Sequence, residues 1–169
     1  MRGRASLVAA LALALDQAAK WAAWRGLGLV EGVDRPVIDG VLVFRLAWNR
    51  GINFGLLQSG EAGRWLLIAL ALAVSAAVIL GARRWWPGPG GALWAGLLAG
   101  GALSNALDRL LHGAVLDFLS VSCCGLRNPW SFNPADVFVF AGAFGLALFA
   151  GRGDKSRDRD QGAGGAREG

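Results

Sequence analysis

The chain has 169 residues, of which 54% are hydrophobic and 17% charged, and a formal net charge of +5. That length makes one domain, or one domain with a tail. The apolar excess excludes a disordered chain, and a charged share below the roughly 25% of an ordinary globular domain argues against a water-soluble one.

The apolar residues come in four blocks of about 18 to 20 residues, near the roughly 20 needed to cross a hydrocarbon core. The first, about 5–24, follows Arg2 and Arg4 and has a signal peptide's basic start and apolar core. Asp16 and Lys20 interrupt it, and it is long enough to span, so it reads as a retained helix. Next comes Pro36 to Asn49, rich in β-branched and aromatic residues and bounded by turn signals at Gly32–Pro36 and Asn49–Gly51. It predicts a short extracytoplasmic sheet, about 36–56, lying on the membrane surface. The second block, about 65–82, contains no charge. The third, about 92–111, carries the helix-packing signal Gly96-x-x-x-Gly100 and, in its last third, Asn105, Asp108 and Arg109. Segment 112–133 is amphipathic in patches and is expected to hold a short interfacial helix. Pro134, suited to a helix's first turn, opens the fourth block at about 134–151, with Asp136 close behind. The tail 152–169 is polar and Gly-rich, which predicts disorder.

The expected fold is therefore a membrane all-α domain over 1–151, with four transmembrane helices, a small extracytoplasmic β-sheet and a short interfacial helix. Lys and Arg are denser in 1–4, 83–91 and 152–169 than in 25–64 and 112–133, which puts both termini in the cytoplasm. The bases flank the apolar blocks and form no stripe able to track a phosphate backbone, so no nucleic-acid partner is expected. The Trp residues read as interface anchors.

Ionisable groups inside spans cost several kcal/mol unless paired or facing a wet cavity, which makes them functional candidates. Asp16 and Lys20 are four apart on one helix face; Asn105, Asp108 and Arg109 share a face of the third block. Asp117 follows in G-A-V-L-D-F-L, and Asp136 opens the last block. With both termini inside, all lie toward the outer leaflet. Each also has a plainer reading. Asp16–Lys20 and Asp108–Arg109 serve as structural networks, and Asp117 and Asp136 as helix-end residues. Other chemistries lack their residues: His112 is the sole histidine, no G-x-S-x-G surrounds a serine, and no phosphate-binding Gly loop is present. Cys123 and Cys124 are adjacent, which fits packing or a vicinal disulfide better than a thiol nucleophile, and gives no redox compartment. A transporter would also place charges in spans, yet no charge interrupts the second block to continue a path inward. Two carboxylates at one depth remain as the acid/base set.

Five motifs then meet a family. Asp16-Gln17-Ala18-Ala19-Lys20 resembles D-Q-x-x-K, and Asn49-Arg50-Gly51-Ile52-Asn53-Phe54 resembles N-x-G-x-x-F. Ser104-Asn105-Ala106-Leu107-Asp108-Arg109 is similar to G-N-x-x-D-R, and Val115-Leu116-Asp117-Phe118 to V-x-D-F. Phe132-Asn133-Pro134-Ala135-Asp136 is similar to F-N-x-A-D. In order and spacing these resemble signal peptidase II, the bacterial lipoprotein signal peptidase, over about residues 5–150. The resemblance implies an intramembrane aspartic endopeptidase of the bacterial cytoplasmic (inner) membrane. Such an enzyme removes signal peptides from diacylglyceryl-modified prolipoproteins, before the lipidated cysteine. It implies a catalytic pair Asp117 and Asp136, supported by Asp16, Lys20, Asn49, Asn105, Asp108, Arg109 and Asn133. No metal or other cofactor is expected, and a monomer in a phospholipid membrane is. Ser104 departs from the family's usual Gly, a small-for-small change that should be tolerated. Cys123–Cys124 and the tail have no counterpart.

Overall fold

The structure, a computed structural model, describes residues 1–51, 60–87, 89–122 and 128–148. Helix α1 (Arg2–Trp21) passes into a π-helical turn, Ala22–Gly26. Strands β1 (Arg35–Ile38) and β2 (Leu42–Asn49) follow, then α2 (Gly60–Trp85), α3 (Pro89–His112), β3 (Val115–Val121) and finally α4 (Pro134–Leu148). The molecule is mostly helical, with one small antiparallel sheet in the order β1-β2-β3.

Helix α3 sits between the others, because its small residues let neighbouring backbones come close. A Cβ on Gly96 would lie 2.7 Å from the Ala5 carbonyl oxygen of α1, and one on Gly100 2.8 Å from Ala12 Cβ. On another face, a Cβ on Gly101 would lie 3.0 Å from Val139 Cγ2 of α4. The core joins all four helices through Ala9, Val78, Ala82, Ala95, Leu98, Ala99 and Leu146. Trp86 locks one end by donating its indole N–H to the Leu146 carbonyl at 3.0 Å. At the other end, Ala23, Leu29, Leu46, Leu116 and Phe118 seat the sheet against the end of α1. Large apolar side chains nevertheless face outward on every helix, among them Leu11, Leu70, Leu93 and Phe144.

The sheet brings distant segments together. The β1–β2 hairpin turns through Gly40, whose φ of +72° suits a residue without Cβ. Gly113, at φ +76°, reverses the chain between α3 and β3. β3 then pairs with β2, with Ala47 opposite Asp117 and Asn49 opposite Val115.

The structure corrects several sequence expectations. Segment 112–133 contains strand β3 where an interfacial helix is expected; Val115–Val121 is a short apolar run, a pattern that periodicity alone cannot assign to helix or strand. Its pairing with β2 and its burial decide for the strand. The sheet accordingly has a third strand from outside the 36–56 segment, and starts at Arg35. Helices α2 and α3 extend beyond their apolar blocks at both ends, to Gly60–Trp85 and Pro89–His112. Among the described residues only Glu61–Ala82 is long and apolar enough to count as a span by length and composition, and Pro134–Leu148 is apolar but shorter. In α1 and α3, charged residues, glycine and small polar residues dilute the apolar stretch. The expectations for 52–56, Cys123, Cys124 and the tail 152–169 lie outside the described residues.

Candidate active site

The site grows from the head of α4. Asn133 precedes the helix, Pro134 fixes its first turn, and Asp136 stands at its third position. The Asn133 side-chain oxygen accepts the Asp136 backbone N–H at 3.0 Å, while the Asp136 carboxylate accepts the Asn133 N–H at 3.2 Å. This reciprocal pair is a capping box, which satisfies helix-start donors that otherwise have no partner. One local motif thus fixes both the helix start and the carboxylate.

Asn133 also reaches across to β3. Its side-chain amide donates to Asp117 Oδ1 at 2.6 Å. Asn49, at the end of β2, donates to the other oxygen, Asp117 Oδ2, at 3.1 Å. Asn49 and Asp117 lie diagonally across the β2–β3 ladder, a reach open to long side chains. Asn49 Oδ1 in turn accepts the Gly51 N–H at 3.1 Å, which turns the chain leaving the strand. Asn105 of α3 donates to Asp136 Oδ1 at 2.9 Å. Each of the four carboxylate oxygens of Asp117 and Asp136 therefore accepts a hydrogen bond from a neutral amide or backbone donor. Asp117 is 2% exposed. Burial first, and then the charge of Asp136, push its carboxyl far above the ordinary range, to about 7; the amides of Asn49 and Asn133 pull the other way.

Behind this pair lies a charged cluster between α1 and α3. Lys20 is 3% exposed and its ammonium meets Asp16 Oδ2 at 2.6 Å, Asp108 Oδ2 at 2.8 Å and Asn105 Oδ1 at 3.0 Å. The three donors of an ammonium group are thereby matched one to one. Asp108 also accepts from the Gln17 amide at 2.7 Å and from the Leu116 backbone N–H at 3.2 Å, tying α3 to α1 and to β3. Asp16 accepts the Ala135 N–H at 2.8 Å, placing a carboxylate on the positive end of α4. Asn105 links the two halves, with its oxygen on Lys20 and its amide on Asp136.

All nine residues singled out from the sequence join this network. Arg109 does so differently from its expected partnership with Asp108: its guanidinium donates to the carbonyls of Asn105 and Gly51, both at 3.2 Å. Asp108 pairs with Lys20 instead, because its side chain points to α1 while Arg109 leans toward the β2 exit. Asp117 sits within a strand, so the plainer helix-end reading does not apply to it. Two members escaped sequence reasoning, Gln17 and Ser104. The signal was present: residues 16, 17 and 20 and residues 104, 105 and 108 share the same i, i+1, i+4 spacing, so each helix presents three polar side chains on one face.

Comparison with known proteins decides the family. The family model for signal peptidase (SPase) II matches residues 8–151. The chain belongs to the signal peptidase II family. It is 44% identical over 156 residues to a lipoprotein signal peptidase of Methylorubrum extorquens (strain PA1), covering 86% of this chain and 84% of that one. It is 42% identical over 170 residues to the lipoprotein signal peptidase of Methylobacterium radiotolerans, covering 92% and 91%. A solved structure described as a bacterial membrane enzyme superposes with a TM-score of 0.75 at 26% identity, covering 92% of this chain and 91% of that one. Membership in the signal peptidase II family makes the chain a protease, and the fold that carries it is that of a membrane enzyme.

Proposed function

We propose that the chain is an intramembrane aspartic endopeptidase that cleaves the signal peptide from diacylglyceryl-modified bacterial prolipoproteins, before the lipidated cysteine. Asp117 and Asp136 are its catalytic pair. The observation that carries this reading is Asn133, which hydrogen-bonds both carboxylates at once. Two carboxylates held this way cannot both ionise cheaply, so the pair shares one proton. The ionised member takes a proton from a water held between them as that water attacks the scissile carbonyl. The protonated member hydrogen-bonds the carbonyl oxygen and then gives its proton to the leaving nitrogen as the C–N bond of the tetrahedral intermediate breaks, so the pair again holds one proton. The titration belongs to the pair.

The surrounding residues suit that task. Asn49, Asn105 and Asn133 orient the carboxylates without a net charge that would hold both ionised. The nearest ammonium, Lys20, is compensated by Asp16 and Asp108 and is linked to Asp136 by hydrogen bonds through Asn105. Arg109 holds the carbonyl of Gly51, and with it the strand exit that carries Asn49.

The outward-facing apolar side chains on α1 to α4 support a single four-span domain over 1–151, and the denser Lys and Arg of 1–4, 83–91 and 152–169 favour both termini and the tail 152–169 in the cytoplasm. The site then lies near the outer leaflet of the inner membrane, and works as a monomer. A substrate whose acyl chains stay in the bilayer is retained at that depth by about 0.8 kcal/mol per buried CH₂. The test is incubation of the purified protein with a diacylglyceryl-modified prolipoprotein, followed by mass spectrometry. A released peptide ending just before the lipid-bearing cysteine is expected. Cleavage elsewhere, or none under conditions where the protein is folded, refutes the assignment.

A further inference from the structure

The side chain of Ser104 is fully buried between α3 and α1. Its hydroxyl donates to Asp16 Oδ2 at 2.7 Å and accepts from the Gln17 amide at 2.9 Å. The direction of both bonds is forced. The same Gln17 nitrogen lies 2.7 Å from Asp108 Oδ1, a carboxylate oxygen, so it must be the amide NH₂ and can only donate. The single hydroxyl proton is left for Asp16.

The consequence reaches the catalytic pair by two routes. Asp16 Oδ2 holds the Lys20 ammonium, and Asp16 Oδ1 holds the N–H of Ala135, the residue before Asp136. Lys20 fixes Asn105, whose amide is on Asp136. We propose that Ser104 is a positioning residue of this chain: its hydroxyl fixes the Asp16 carboxylate, and through Ala135 and the Lys20–Asn105 link it sets the placement of Asp136. Glycine at this position supplies neither donor nor acceptor, so Asp16 would hold its orientation on Lys20 and Ala135 alone. The charged groups that face the assembly are Asp16 and Lys20 from α1, Asp108 and Arg109 from α3, Asp117 from β3 and Asp136 itself. A small rotation of Asp16 therefore changes the field at the pair as well as its geometry.

This inference rests on the peptidase reading, and one experiment separates the two. Wild type, Ser104→Ala and Ser104→Gly are compared for prolipoprotein cleavage across pH, with KM and thermal midpoint measured alongside. Both variants remove the hydroxyl without adding bulk, and the thermal midpoint reports whether each stays folded. Wild-type protein that cleaves nothing overturns the peptidase reading and this inference with it. Given wild-type cleavage, kcat in both variants is expected to fall about threefold to tenfold with KM within about twofold. A limb of the kcat–pH profile should also move along the pH axis, which a mere loss of active protein cannot produce. Variants with the wild-type kcat and profile, or with kcat lowered by the same factor at every pH, overturn the role of Ser104 and leave the peptidase reading standing.

Discussion

Asn133 does two jobs that a single substitution can separate. Serine caps helix starts about as well as asparagine, and the backbone N–H that meets Asp136 is unaffected by the change. What Asn133→Ser removes is the amide donor 2.6 Å from Asp117 Oδ1. A hydrogen bond to a charged group contributes about 1.5–3 kcal/mol, and about 1.4 kcal/mol corresponds to a factor of ten in rate. kcat/KM for prolipoprotein cleavage should therefore fall by about 10- to 100-fold, and the thermal midpoint should fall as well, because buried Asp117 loses the same bond in the folded state. The pH profile carries a second signature. The Asn133 amide opposes the burial that raises Asp117 to about 7, so its loss moves the acid limb of kcat/KM to higher pH. Asn133→Ala removes the cap as well and should cost about 1 kcal/mol of stability beyond the serine variant. The assay is cleavage in detergent from pH 5 to pH 9, with melting curves of the same samples. Wild-type kcat/KM and an unmoved acid limb in Asn133→Ser would show that the link between Asn133 and Asp117 does not matter to the chemistry.

Other expectations follow from the same network. Asp117→Asn and Asp136→Asn should each abolish processing while the protein stays folded and inserted, as read by mass spectrometry and gel filtration; appreciable cleavage by either removes the dyad. Because Asp117 titrates higher in the folded chain than in the unfolded one, the unfolded state loses its proton first. The contribution of this residue to stability is thus full below the ordinary carboxylate range and declines as pH rises toward about 7. Melting curves between pH 4 and pH 8 should show this decline in wild type and a flatter dependence in Asp117→Asn. Lys20→Met leaves Asp16 and Asp108 buried without their cation, which should destabilise by about 3–5 kcal/mol and lower the yield of folded protein. Gly100→Val puts a branched side chain where a single Cβ already lies 2.8 Å from Ala12 Cβ, so α1 must move off α3. Activity and thermal midpoint should fall together there, and an unaffected midpoint would contradict the packing described.

The helices were legible because their cores are long apolar runs, and the site because polar residues are conspicuous inside such runs. The order Asp16, Asn49, Asn105, Asp117, Asp136 already named the principal partners. Strand β3 was not legible: seven residues with an aspartate in the middle carry no periodicity that separates strand from helix, and only pairing with β2 settles it. Helix ends moved because hydrophobicity marks what is apolar, whereas backbone hydrogen bonding runs on through Gly60 and His112. Ser104 looked like a neutral exchange for glycine in one dimension. Its importance is visible only once α1 brings Asp16 and Gln17 against it.

The position of Asp136 in chain order has a consequence for biosynthesis. Asp117 emerges on a strand whose partner, β2, is already made, but the carboxylate of Asp136 arrives only with the last helix, whose start Asn133 caps. A nascent chain halted before Pro134 carries the whole α1–α3 charge cluster, apart from the Ala135 contact, and no working pair. Under the proposed reading the protease is therefore latent throughout its own synthesis and becomes competent in one step, when the capped head of α4 docks against Asp16.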